Sequence, residues 1–197
     1  MKKNELRKIL QHELNQYQSY MFLSKKKWLV AMLKSEAVVN IWRWQKLSRV
    51  TDYYYNLAHG KKSIFDKFMY LWYSYRFHKK SQELGLEICT RNIGKGLMVY
   101  HYAGGIVVNA NSVIGENCRF HGNNCIGNAG PHDLLCPVIG DNVMLGVGAK
   151  IIGNVRVANN VKIAAGAVVV HDVLEDGCTV AGVPAKIVKH GKEDGKA

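Results

Sequence analysis

A hydroxyl group is a poor nucleophile near neutral pH, and a residue that takes its proton changes that. Imidazole suits the task because it titrates close to working pH. Three of the eight histidines sit where such chemistry is conceivable. His101 lies between Tyr100 and Tyr102, just before Ala103-Gly104-Gly105. His121 follows Phe120, and His132 stands in the Pro131-His132-Asp133 segment. Residue type alone leaves a plain structural role open for each. One histidine among tyrosines often only packs, a histidine at a corner is often only polar surface, and one in a loop is often only exposed.

These side chains need a frame, and the sequence supplies one. From Val108 to Val173 a large apolar residue returns every six positions: Val108, Ile114, Phe120, Ile126, then Ile139, Leu145, Ile151, Val157, Ile163 and Val169. Four residues after each comes a mostly small one, such as Cys118, Asn124, Val143, Ala149, Val161 or Ala167. A period of six fits neither a helix nor a lone strand. It fits a parallel β-helix in which each hexapeptide is a short strand plus a corner, and stacked coils bury one aliphatic column. Glycine and asparagine are expected to turn the corners with positive φ. The phase slips once. Ile126 to Ile139 reads as two hexapeptides plus one residue, and Pro131, His132, Asp133 and Pro137 mark a loop thrown out of the coil, where function tends to gather.

Composition divides the chain near Gly85. Residues 1–85 hold 17 Lys/Arg against 6 Asp/Glu, so the +12 formal charge is almost wholly theirs, together with 16 of the 19 aromatic residues and only 2 of the 19 glycines. This half is expected to be α-helical, over 4–34 behind an Asn4 cap, from Ser35 to a stop at Gly60, and from Ser63 to Gly85. A solvated helical cap or oligomerisation element is the plain account of its charge. Contact with an anionic membrane surface is the second, on Lys25-Lys26-Lys27-Trp28 and the Trp42/Arg43/Trp44 cluster. Nucleic-acid binding lacks a motif. Residues 86–190 form the β-helix domain, and 191–197 a charged, frayed tail. Five cysteines without a CxxC pair point to reduced thiols in a cytosolic protein. Met1 to Leu10 is too polar for a signal h-region, and the longest apolar runs fall short of a spanning helix.

The segments HYAGGIVVNANSVIGENCRFHGNNCIG, PVIGDNVMLGVGAKIIGNV, KIAAGAVV and AGVPAKIV, in that order over residues 85–190, resemble the serine O-acetyltransferase-like branch of hexapeptide acyltransferases. Within that branch they look most like the bacterial members that acetylate capsular and exopolysaccharide sugars. The resemblance implies a mainly β fold, a left-handed parallel β-helix preceded by an α-helical N-terminal region. It also implies a homotrimer with active sites between subunits, acetyl-CoA as co-substrate and no metal. His101 matches the catalytic base, taking the acceptor's proton while backbone N–H groups of a glycine-rich corner receive the oxyanion. The donor site carries over to Asn128, Val147, Gly148, Ala165 and Gly166, with Lys186 near the nucleotide phosphates.

The chain also departs from that pattern. Tyr100 stands where the serine-specific enzymes carry an Asp beside the base, and Cys136 where they carry a second His. Both departures argue against serine as acceptor. Glu87 is the candidate for the missing orienting carboxylate, and His132 can reach the site from the loop. The histidine spacing does not suit the zinc site of β-helical carbonic anhydrases. The expectation is therefore a cytoplasmic sugar O-acetyltransferase acting on a surface polysaccharide or its precursor. Serine O-acetyltransferase is the alternative enzyme, and a non-catalytic β-helical scaffold binding a glycan or protein the alternative of another kind.

Overall fold

The computed structural model describes residues 2–20, 24–60, 63–130 and 134–191. The chain forms two compact units, Met1–Leu86 and Glu87–Ala197.

The first unit holds four helices: α1 Lys3–Tyr20, α2 Lys25–Leu33, α3 Ala37–Gly60 and α4 Ile64–Leu84. The single helix expected over 4–34 is two, because Ser24 takes extended backbone and caps α2, its Oγ accepting from Lys27 N at 3.4 Å. Asn4 lies inside α1 rather than capping it. Ser35 does not open the next helix either. Its φ of 51° places it in the left-handed region, and α3 starts at Ala37. The ends of α4 are as expected. Ser63 Oγ accepts from Asp66 N, and Gly85, with φ 65°, caps the C-terminus by donating to Gln82 and Ser81 carbonyls.

Inside this unit α1 and α3 are joined by a buried ion pair, Arg49 to Glu13 at 2.8 Å, and by Tyr17 Oη donating to Gln45 at 2.7 Å. Trp44 Nε1 donates to Ser81 Oγ at 2.8 Å and ties α3 to α4. Trp44 and Trp28 are both buried, so these rings are core and not the membrane-facing cluster their neighbours suggested. The exposed apolar face lies elsewhere. Ile64, Phe65, Phe68, Leu71, Trp72 and Tyr75 recur at helical spacing on the open side of α4. No described helix is long and apolar enough to cross a membrane.

The second unit is the coil. Its strands, in chain order, are β1 Leu86–Ile88, β2 Met98–Val99, β3 Ile106–Val108, β4 Val113–Ile114, β5 Arg119–Phe120, β6 Asn124–Gly127, β7 Val138–Ile139, β8 Met144–Leu145, β9 Lys150–Ile152, β10 Arg156–Val157, β11 Lys162–Ile163, β12 Val168–Val169, β13 Thr179–Gly182 and β14 Ala185–Lys189. They make three parallel faces: β1-β3-β6-β9-β12, then β4-β7-β10, then β2-β5-β8-β11-β13, with β14 added antiparallel to β13. All ten six-residue slots point inward, none more than 4% exposed. Each such aliphatic residue contributes about 1.5–3 kcal/mol by leaving water. The second column is buried as well, apart from Gly130, where the chain leaves the coil. Asn117, Asn123, Asn142 and Asn160 turn corners with φ between 52° and 60°.

Register locates the irregularities. Val108 pairs with Ile126 and Ile151 with Val169, eighteen residues apart, which is one full coil. Ile114 pairs with Ile139 across twenty-five. The interval from Ile126 to Ile139 is therefore one step to the next face plus seven inserted residues, and not two hexapeptides plus one. A second irregularity has no counterpart in the sequence reading. Val99 pairs with Phe120 across twenty-one residues, so three extra residues lie between β2 and β3. That short insertion contains His101.

Candidate active site

The corner between the third face and the first recurs in every coil, and His101 sits at its first turn. The residues Tyr100 to Gly105 leave β2, close a turn through Gly105 N donating to Tyr102 O at 3.0 Å, and enter β3. The His101 imidazole is exposed in the single chain. One coil on, the same corner holds His121, Gly122 and Asn123; the next holds Gly146 to Gly148, and the next Ala164 to Gly166. Backbone bonds lock these turns into a column. Gly148 N donates to Gly122 O at 3.0 Å, and Gly166 N to Val147 O at 2.8 Å.

Two glycines let the turns stack. Gly122 has φ 106°, and a Cβ there would lie 3.0 Å from His101 O and 3.3 Å from His101 Cβ. It is thus the floor directly under His101. At Gly146 a Cβ would come within 2.6 Å of Ala165 N, so only a bare backbone admits the following coil. At the open end, Gly166 has nothing within 4 Å of an added Cβ, and Val147 and Ala165 are exposed. The result is an open edge of backbone with an imidazole at its head. A slender chain can lie along such an edge, and a base at its head can meet the chain's end.

His101, Val147, Gly148, Ala165 and Gly166 are thereby brought to one edge of the coil. Asn128 is not on it. It follows β6 at the corner between the first and second faces, where its Oδ1 accepts from Asn109 Nδ2 at 2.9 Å and its Nδ2 donates to Gly130 O. Lys186 is exposed on β14, opposite Ala181. Glu87 is the outward residue of β1 and makes no hydrogen bond to His101 in the single chain. His132 lies outside the described residues, as do residues 192–197 of the expected tail, while Gly191 N donates to Glu175 at 2.7 Å. Cys136 is buried at the exit of the loop. Burial also pushes the Cys118 thiol up to about 12, which keeps it protonated and inert.

Tyr100 faces His121, their ring centroids 4.5 Å apart and inclined by 38°. Burial is the main cause that lowers the His121 pKa, followed by the charges of His101 and Arg119. Its folded value lies below the unfolded one near 6.5, so the unfolded chain binds the proton more readily. Stability is therefore intact above that value and falls as pH drops through it. Thermal melts from pH 7.5 down to 5.5 should show a falling midpoint, with a shallower fall in His121→Asn. Equal slopes in the two proteins would contradict this.

The sequence reading missed Gly122, Asn123 and Asn124 as parts of this corner. Asn124 gave a signal, an amide in a column otherwise filled by small or apolar side chains.

Residues 136–171 match the bacterial transferase hexapeptide (six repeats) family. A serine acetyltransferase of Synechococcus elongatus is 34% identical over 97 residues, covering 49% of this chain and 39% of that protein. One of Staphylococcus epidermidis is 38% identical over 106 residues, covering 53% and 49%. The chain thus spans half or less of the length of these curated relatives. Among solved structures, a serine acetyltransferase of Neisseria gonorrhoeae aligns over 97% of this chain and 67% of its own, with TM-score 0.68 and 27% identity. A serine acetyltransferase in complex with CoA aligns over 76% and 57%, with TM-score 0.58 and 31% identity. These similar proteins are named for serine, so the expected leaning towards polysaccharide-acetylating members finds no support among them. Residues 136–171 thus carry the hexapeptide-repeat signature, and the chain has the fold of these solved structures, a left-handed β-helix preceded in sequence by a helical region.

Proposed function

We propose that this protein transfers an acetyl group from acetyl-CoA to a hydroxyl, with L-serine as the first acceptor to test. The observation that carries the reading is the edge on which His101 stands above Gly122, Gly148 and Gly166. The similar serine acetyltransferases support the acceptor. His101 Nε2 or Nδ1 takes the proton of the acceptor hydroxyl as its oxygen attacks the thioester carbonyl. Backbone N–H groups at the glycine corner receive the oxyanion, the carbon–sulfur bond breaks, and the imidazolium returns its proton to the departing thiolate. The donor groups are Val147, Gly148, Ala165 and Gly166 along the edge, with Asn128 on the neighbouring corner and Lys186 towards the phosphates. Asn128 and the edge serve one donor only if a second copy supplies one of them, which fits a homotrimer with sites between protomers. A cytoplasmic location follows from the donor.

A sugar hydroxyl is the second reading, favoured by Tyr100 and Cys136 where the resemblance places an Asp and a His. Offering L-serine and a panel of sugars while following CoA release separates the two. Serine-dependent release supports the first reading, sugar-dependent release alone replaces it with the second, and no release with any acceptor leaves the non-catalytic scaffold.

Contact with an anionic bilayer is also part of the proposal, and α4 supports it. Its exposed Ile64, Phe65, Phe68, Leu71, Trp72 and Tyr75 are accompanied by exposed Lys67, Arg76 and Lys79. The full chain should sediment with vesicles containing phosphatidylserine and not with purely zwitterionic ones, and Phe68→Glu should release it. A chain indifferent to both vesicles overturns this part, and loss of oligomeric mass in Phe68→Glu would assign the face to another copy of the chain.

A further inference from the structure

Asn124 is 2% exposed and stacks in line with Ala149 and Ala167, which fill the same inner position in the following coils. An amide buried among aliphatic side chains is costly unless its groups are paired. Here they are. Oδ1 accepts from Gly122 N at 3.0 Å, while Nδ2 donates to Gly146 O at 2.8 Å and to Ala149 O at 3.3 Å. The bonds also fix which end of the amide is oxygen, because Gly122 N can only donate and the two carbonyls can only accept.

The partners are not arbitrary stretches of coil. Gly122 is the floor under His101, and Gly146 and Ala149 bracket the turn carrying Val147 and Gly148. Asn124 is therefore a strut, set inside the coil, between the turn supporting the imidazole and the turn on which the donor is proposed to lie. Coil stacking alone does not require it, since the same column takes alanine at Ala149 and Ala167 and the coils still stack. Transfer does require a fixed separation between base and thioester, because reacting groups displaced by about an ångström lose on the order of a hundredfold in rate.

Resting on the proposed transferase reading, we infer that Asn124 is a positioning residue, whose buried amide sets the His101 turn against the Val147–Gly148 turn.

The test is Asn124→Val in the full chain, beside Val161→Ala as a cavity made in a neighbouring inner column away from both turns. Asn124→Val should keep the trimeric state, with a melting point lowered by several degrees because the buried Gly122 N–H loses its acceptor. Its kcat should fall at least tenfold with the KM for acetyl-CoA little changed, and amide exchange at Gly122 should quicken at least tenfold. Val161→Ala should lower the melting point as well but retain kcat, so that loss of stability alone is separated from loss of positioning. Asn124→Thr keeps a hydroxyl able to accept from Gly122 and should recover part of the rate. Parental kcat in Asn124→Val overturns the positioning role alone. An inert parent with every acceptor overturns the transferase reading and this role with it, even if Gly122 exchange quickens.

Discussion

His101→Ala should leave a folded chain whose acceptor-dependent release of CoA has dropped by about two to four orders of magnitude, the usual contribution of a general base. The side chain is exposed in the single chain and its imidazole bonds to no described residue, so stability should barely move. That separation makes the experiment clean. Thermal melting and oligomeric mass report the fold, and CoA release reports the chemistry. Wild-type turnover by the variant would remove His101 as the base.

Gly122→Ala should be nearly as damaging, although it removes no reactive group. The φ of 106° is strained for any residue with a Cβ, and the new methyl would press on the His101 carbonyl and Cβ at 3.0 and 3.3 Å. Strain of this kind costs about 1–3 kcal/mol. Relief requires the His101 turn to lift, and a shift of about an ångström at the base costs on the order of a hundredfold in rate. The expected outcome is a melting point lowered by several degrees, at about 2–4 °C per kcal/mol, together with at least a tenfold loss of transfer. Full activity in Gly122→Ala would mean that His101 is not held by the turn beneath it.

The coil was legible because its physics is periodic. An aliphatic residue every sixth position can be buried in only one way, and Ile114, Ile139 and Ile163 all face inward. The insertions were less legible. Thirteen residues between Ile126 and Ile139 divide into hexapeptides in more than one manner, and only the pairing of Ile114 with Ile139 shows that a single step was interrupted. The three-residue insertion around His101 precedes the regular repeat, so no phase existed against which to notice it. In the helical half, local signals succeeded at Ser63 and Gly85, where a cap decides by itself. They failed where packing decides. Trp44 looked like an interfacial ring because Arg43 adjoins it, yet its indole points inward to Ser81.

The site was half legible for the same reason. His101 and the glycine corners were nominated through motif order, and their lying along one edge is a property of stacking that no motif states. Asn128 shows the limit, since the resemblance groups it with the edge residues and it lies on another corner. Glu87 and Lys186 are placed on β1 and β14 with no bond linking them to the imidazole in one chain.

The most direct measurement is a crystal structure of the full chain with CoA. The account predicts the pantetheine arm along Val147, Gly148, Ala165 and Gly166, with the thiol within reach of a His101 imidazole. Ordered CoA bound away from that edge, with its sulfur remote from every His101 in the assembly, would contradict it.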